Sequence, residues 1–425
     1  MKNSLKQIVI IGGGFAGINL AKRLAKDNHF KIILIDRNNY HFFPPLIYQV
    51  ATGFLETSSI SYPFRKLFKN TKNIHFRLGT LIKVEPTTNT CYLDNGEIEY
   101  DYLVFATGAE TNYFGNENIR NNAISMKNIN DALLMRNSLL QNLERAAISE
   151  DRAEQQKQLT IVVAGGGPTG VEVSGMLAEL RNYVLEREYP EFANLGGDIF
   201  LVASSKRLLA QMSEQSSIDV TNTLLGLGVK IKLNIHVKDF IDGVIYLSNN
   251  ETIETPNLIW TAGINAIAFE GIPVSSLGKG KRMLVDEHNK LLDFDNIYAL
   301  GDMCLQTSDL AFPTGHPQVA QVAIQHGVNL ANNLIAIAQN KPLKPFVYFD
   351  KGSMAIIGRK AAVVDLATPK LHFKGILALF MWLFVHLIGL VTYRNKVRTL
   401  YHWLVAYLTR DQSLRMIIRP EKNIT

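Results

Sequence analysis

The chain carries the string Gly-x-Gly-x-x-Gly twice, each time between an apolar run and a stretch of helical periodicity. The first copy is Gly12, Gly14 and Gly17; the second is Gly165, Gly167 and Gly170. In such a turn the first glycine allows the tight reversal after the strand. The second lets the backbone approach a pyrophosphate, and the third lets the helix lie close on the strand. The N-terminus of the helix then presents N–H groups and the positive end of its dipole to the phosphates. Two such turns in one chain predict two dinucleotides, one tightly held and one exchanged. The glycines alone do not say which turn holds which.

The surroundings of each turn support this reading. Residues 7–11 read as a strand, 16–27 as a helix, and 31–35 as a second strand ending on Asp36, the place where an acid binds a ribose hydroxyl. A strand at 102–105 runs into Ala106-Thr107-Gly108. The pattern repeats with a strand at 159–164, a helix at 171–185 and strands at 198–203 and 258–260. A charged helix over 128–152 reads as a connector. The segment 297–302 and a helix over 318–337 read as a return to the first unit.

At 425 residues the chain is long enough for two or three domains. Its net charge of +6 suits anionic cofactors or an anionic membrane and is too small to argue for nucleic acid; no nucleic-acid partner is expected. Cys91 and Cys304 stand far apart with no CxxC spacing, so zinc, iron–sulfur and disulfide scaffolds gain no support. The start reads directly into a strand without a secretory signal, which predicts a reducing, cytosolic setting.

The tail differs in character. Residues 351–366 look β-like. The run 376–391 is apolar with one His, yet shorter than the roughly 20 residues that span a bilayer. Trp382 within it suits an interface. Beyond it lie Arg394, Lys396, Arg398, Arg410, Arg415, Arg419 and Lys422, against Asp411 and Glu421. Leu400, Trp403, Leu404, Tyr407 and Leu408 recur at helical spacing between them. This predicts an amphipathic pair in the headgroup zone, a surface that would also serve a dimer.

Taken together, these motifs resemble those of the two-dinucleotide flavoprotein reductases, and within them the type II NADH dehydrogenases (NADH:quinone oxidoreductases). The stretch from His41 through Phe43-Pro44-Pro45 to Gly53 is similar to a family signature close to the flavin, and Ala320 to Gln325 resembles the motif beside the isoalloxazine and the quinone. The resemblance implies an α/β fold of two Rossmann-like FAD/NAD(P)-binding domains, one inserted in the other, plus a C-terminal membrane-facing segment. It implies an FAD-binding domain from 1–125 and 265–345, an NAD(P)H-binding domain at 126–264 and a membrane-association segment at 346–425. FAD would be held by Gly12, Gly14, Gly17, Asp36, Ala106, Thr107, Gly108, Gly301 and Asp302, with Asp302 against the ribityl chain. The nicotinamide nucleotide would be held by Gly165, Gly167 and Gly170.

Glu172, just past the second turn, would position nicotinamide or quinone. Gln321 and Gln325, four apart on one helical face, would line the flavin or donate to a quinone carbonyl. No relay His stands at Ile324, and Cys304 reads as a small buried side chain. The family's usual Glu at the end of the strand after the second turn is Ala203 here, followed by Ser204, Ser205, Lys206 and Arg207, which leaves NADH or NADPH open. The implied activity is FAD-dependent electron transfer from NADH, with NADPH as an alternative donor, to a membrane quinone without proton pumping, by a peripheral homodimer on the cytoplasmic face of the inner membrane. The alternatives are a soluble flavin reductase that donates to a protein carrier, and a redox-sensing binding protein.

Overall fold

The computed structural model describes residues 5–192, 195, 197–409 and 414–418. Contacts divide the chain into two units, residues 1–42, 61–110 and 264–350 in one and 43–60, 111–263 and 351–425 in the other. The chain thus leaves the first unit and returns to it, and the C-terminal segment joins the second unit by its contacts.

The first unit is built on a five-stranded parallel sheet in the order Ile297–Ala299, Tyr102–Phe105, Lys6–Ile11, Phe30–Asp36, Ile74–Leu78. Its central strand is covered on both faces, which is why Ile8 to Ile11 read as an unbroken apolar run. The helix Phe15–Leu24 leaves the first glycine turn and lies against the helix Ala320–Ala338. Their approach is close enough that a Cβ on Gly327 would sit 2.4 Å from the Ala16 carbonyl oxygen.

The second unit repeats the design. Its parallel sheet runs Ile124–Ser125, Asn257–Trp260, Ile161–Ala164, Ile199–Ala203, Val229–Leu233. The connector helix is shorter than its charge pattern predicts and ends at Ile148. Asn128 and Asp131 form a reciprocal cap at its start, and Asp151 then caps a separate helix, Arg152–Leu159, so the following strand begins at Ile161. The helix after the second turn begins three residues earlier than predicted, at Pro168, because a first helical residue needs no N–H partner. Its regular part ends at Leu180 and continues as a wider turn, Arg181–Leu185.

The tail folds as an antiparallel hairpin, Ser353–Ile357 with Ala361–Leu366, extended by Leu371–Lys374 and followed by the helices Gly375–Gly389 and Tyr393–Thr409. The hairpin docks on the helix Pro168–Leu180. Gly175 faces the hairpin turn, where its absent Cβ leaves room for the Gly358 nitrogen, and the Arg359 N–H donates to Glu179 Oε1 at 2.7 Å.

Two expectations for the tail need correction. Trp382 is fully buried and does not sit at a lipid interface. Of the basic residues, Arg398 donates to Ser58 Oγ at 2.8 Å and Arg415 pairs with Glu188, so neither is spent on headgroups. Arg410, Asp411, Arg419, Glu421 and Lys422 lie outside the described residues. What the helix Gly375–Gly389 does expose is apolar: Ile376, Leu377, Phe380, Phe384, Val385 and Ile388. No described helix is long and apolar enough to cross a membrane.

A methyl at Gly175 would lie 2.7 Å from the Gly358 nitrogen, a backbone atom that cannot swing aside. Gly175→Ala is therefore expected to destabilise the protein by about 1–3 kcal/mol through overpacking. Thermal unfolding checks this, and an unshifted transition would show that the hairpin gives way freely.

Candidate active site

Both glycine turns are shaped by what a side chain would strike. Gly12 has φ +102° and a Cβ there would meet the Ala106 carbonyl oxygen at 2.4 Å; on Gly17 it would meet the Gly12 oxygen at 1.9 Å. Gly165 has φ +126°, and Gly170 would meet the Gly165 oxygen at 1.8 Å. The middle glycines differ. Gly14 would meet only the Ala106 oxygen at 3.8 Å, and Gly167 nothing within 4 Å, so both open onto space beside the helix start.

The two helices that follow have no side-chain cap, whereas Asn116, Asn128, Asp151 and Ser213 cap other helices of this chain. An uncapped start facing open space fits a phosphate that takes the N–H groups instead. The residues present therefore fit a dinucleotide at each turn.

Around the first turn, Asp36 Oδ2 accepts from the Gly13 N–H and Oδ1 from the Asn38 N–H, both at 2.7 Å. Burial raises its pKa from the ordinary carboxylate value, and these two N–H groups oppose the rise. The Ala106 N–H donates to the Ile11 oxygen, which places Thr107 and Gly108 at the strand ends. Thr107 Oγ1 is buried with no hydrogen-bond partner among the described residues, and Gly108 opens onto space. Both suit a bound group.

Gly301 has φ +63° and lies close to Ala16 and Ala323; its N–H donates to His326 Nδ1 at 3.1 Å. Asp302 is half-buried, and its carbonyl accepts from Gln318 Nε2 at 3.0 Å. His41 Nδ1 lies 2.9 Å from the Gly13 oxygen, and burial lowers its pKa to about 4, so it is neutral and braces the turn from behind. Cys304 is buried, and burial pushes its thiol up to about 12.

Gln321 is half-buried on the helix Ala320–Ala338. Gln325, on the same face, is committed elsewhere. Its Nε2 donates to the Phe349 oxygen at 2.9 Å, and its Oε1 accepts the Phe349 N–H at 3.1 Å.

Within the second unit, Glu172 is the central polar group. It stands one turn into the helix Pro168–Leu180, and seven residues before Glu179 it faces the same hairpin. Its carboxyl is buried, and burial raises its pKa to about 8 against the opposing pull of the Ile356 N–H and of Trp382. A carboxylate merely favoured by the helix dipole would shift the other way.

Among the described residues the Trp382 indole nitrogen has no hydrogen-bond partner. Its ring stacks on His386 at 3.8 Å, and burial holds that imidazole neutral, with a pKa of about 4. Trp403 Nε1 donates to Gln49 Oε1 at 2.8 Å, and Gln49 Nε2 donates to the Tyr48 hydroxyl at 3.1 Å. Burial, then the nearby Glu172, raises the Tyr48 pKa well above its ordinary value. Sequence reasoning singled out neither Tyr48 and Gln49 individually nor His386. Their signal was the polar Tyr-Gln pair inside the signature stretch and the lone His in an apolar run.

The fold and the paired turns define a two-dinucleotide reductase, and residues 6–327 match the pyridine nucleotide-disulphide oxidoreductase family. Residues 351–412 match the NDH2 C-terminal domain. The chain is 33% identical over 422 residues to the type II NADH:quinone oxidoreductase NdhA of Mycobacterium tuberculosis, covering 95% of this chain and 87% of that protein. It belongs to the type II NADH:quinone oxidoreductase family.

Among solved structures, NDH2 from Plasmodium falciparum in complex with NADH superposes with a TM-score of 0.88 at 22% identity, covering 98% of this chain and all of that one. The sulfide:quinone oxidoreductase of Aquifex aeolicus shares the fold, with a TM-score of 0.73 at 19% identity over 96% of each chain.

A Cβ at Gly14 would meet only the Ala106 carbonyl oxygen, at 3.8 Å, so a side chain there would extend into the space beside the helix start. Gly14→Val is expected to fold and to purify with little flavin, read as the flavin-to-protein absorbance ratio alongside circular dichroism. A fully yellow variant would remove Gly14 from the cofactor site.

Proposed function

We propose that the protein oxidises NADH and reduces a membrane quinone through bound FAD, and that it works as a peripheral membrane enzyme without pumping protons. Quinone reduction takes two electrons and two protons, and NADH delivers two electrons with one proton as hydride. The second proton must be supplied. The observation that carries the acceptor half is the buried Glu172 carboxyl, held protonated at neutral pH by a pKa of about 8.

FAD supplies the two-electron relay between nicotinamide and acceptor. The protein's part is binding and orientation. Gly12, Gly14, Gly17, Asp36, Ala106, Thr107, Gly108, Gly301 and Asp302 hold FAD. Gly165, Gly167 and Gly170 bring the nicotinamide nucleotide's pyrophosphate to a helix start. Burial keeps the Glu172 carboxyl neutral, with the Ile356 N–H and Trp382 beside it. The Gln321 amide orients flavin or quinone, while Gln325 ties its helix to Phe349 and acts through position alone.

The apolar face of the helix Gly375–Gly389 supports docking on lipid, which favours a membrane quinone over a soluble protein carrier. Disulfide or sulfide chemistry would need reactive thiols; Cys91 and Cys304 are both buried, with pKa values pushed up to about 12. In our reading the enzyme sits on the cytoplasmic face of the inner membrane as a homodimer, with no nucleic-acid partner.

Anaerobic stopped-flow mixing separates the two half-reactions. NADH is expected to bleach the flavin and a soluble quinone to restore its colour; flavin that stays reduced in the presence of quinone would sink the proposal. With the protonated carboxyl as the competent form, the quinone half-reaction is expected to slow as pH rises through about 8. Glu172→Gln should lower its rate by about 10²-fold and abolish that pH dependence; an unchanged profile would take the proton role from Glu172. Gln321→Ala should slow quinone reduction more than flavin reduction, and equal losses would leave Gln321 a support of the flavin alone.

A further inference from the structure

The two units place the same sheet position beside their glycine turns and fill it differently. In the first, Ile11 pairs with Ile35, the Gly12 N–H donates to the Ile35 oxygen at 2.7 Å, and the next residue is Asp36. In the second, Ala164 pairs with Val202, the Gly165 N–H donates to the Val202 oxygen at 2.8 Å, and the next residue is Ala203. By register, Ala203 stands where Asp36 stands. Asp36 binds the Gly13 N–H and is the group that meets a ribose hydroxyl. Ala203 brings only a methyl, set so close that a Cβ on Gly166 would lie 2.7 Å from it.

No displaced acid stands in the loop after Ala203. Residues 203–213 contain no Asp or Glu and two cations, Lys206 and Arg207. Arg207 is folded back, its Nη1 donating to the Ser213 oxygen at 3.0 Å and its Nη2 to the Ala210 oxygen at 2.9 Å, which closes the loop. Ser205 Oγ donates to the Arg207 oxygen at 2.8 Å. Ser204 and Lys206 are exposed. A carboxylate here would bind the 2′-hydroxyl of NADH and repel a 2′-phosphate. A methyl, two hydroxyls and an exposed ammonium do the opposite.

We infer that the segment from Ala203 to Lys206 accepts the 2′-phosphate of NADPH, so that the enzyme oxidises NADPH as well as NADH. This rests on the second glycine turn being the nicotinamide site, as proposed above. The reaction balance is that of NADH, one hydride and one proton passing to the quinone to give quinol, because the 2′-phosphate is remote from the nicotinamide ring. Lys206 and Ser204 provide the attraction, and Arg207 is a positioning residue that shapes the loop. An exposed ammonium is screened by salt, so the NADPH reaction weakens with ionic strength more steeply than the NADH reaction.

The test uses the FAD-loaded enzyme with a soluble quinone for kcat/KM with each nucleotide, and calorimetric binding of adenosine 2′,5′-bisphosphate against AMP as a readout independent of turnover. The bisphosphate is expected to bind more tightly than AMP, and NADPH to be oxidised within about tenfold of NADH. Ala203→Glu should move the preference toward NADH by about a hundredfold, the scale of a like-charge contact, and Lys206→Ala in the same direction by less. NADH turnover with no advantage of the bisphosphate over AMP, and with negligible NADPH turnover, would overturn this inference while leaving the proposed function intact. Failure of both nucleotides to reduce the flavin would overturn the proposed function, and this inference with it.

Discussion

Each glycine turn depends on a backbone approach that no side chain permits. A Cβ would fall within 2 Å of a carbonyl oxygen at Gly17 and at Gly170, so these helices cross their own strands at a distance only glycine allows. That crossing aims an uncapped helix start at the end of the sheet and leaves its N–H groups to be satisfied by a ligand. Duplication of the device gives one chain two uncapped helix starts of the kind that suits a phosphate. The residue at the end of the neighbouring strand distinguishes them, Asp36 in one case and Ala203 in the other.

The second organising feature is an acid kept neutral. Burying a carboxylate is costly, and Glu172 avoids the cost by holding its proton. Its surroundings come from three parts of the second unit: the helix Pro168–Leu180, the hairpin strand Ser353–Ile357 and the helix Gly375–Gly389. The C-terminal segment is therefore more than an anchor, because Ile356 and Trp382 make part of the carboxyl's environment. Glu179 and Arg359, 3.4 Å apart, fasten the same hairpin to the same helix. One surface of the tail packs around Glu172, while six apolar side chains on its first helix stay exposed.

The sheets and glycine turns were legible in sequence because their signals are local: apolar runs of period two or less, and glycines whose φ and spacing are dictated by one turn. Element ends were less legible where capping decides them, as at Asp151 and Pro168. In the tail, helical periodicity identified the helices but not which side faces in. Trp382 looked like an interfacial residue, and its burial follows from packing with His386 and Trp403. Arg398 and Arg415 looked like headgroup contacts, but their partners, Ser58 and Glu188, lie hundreds of residues away. Gln325 looked like a site residue by its spacing from Gln321, and its two bonds to Phe349 show that its amide is committed within its own unit. Long-range pairing of this kind leaves no trace in local pattern.

In the proposed reaction both features act, the glycine turns by binding dinucleotides and Glu172 by giving a proton. The most direct test is NADH oxidation by the FAD-loaded protein added to anionic liposomes, with and without quinone dissolved in the bilayer. The account predicts turnover that depends on the bilayer quinone and falls when Phe380 and Phe384 are both replaced by Ser. Rapid flavin reduction with no reoxidation by bilayer quinone, but ready transfer to a soluble protein carrier, would contradict it.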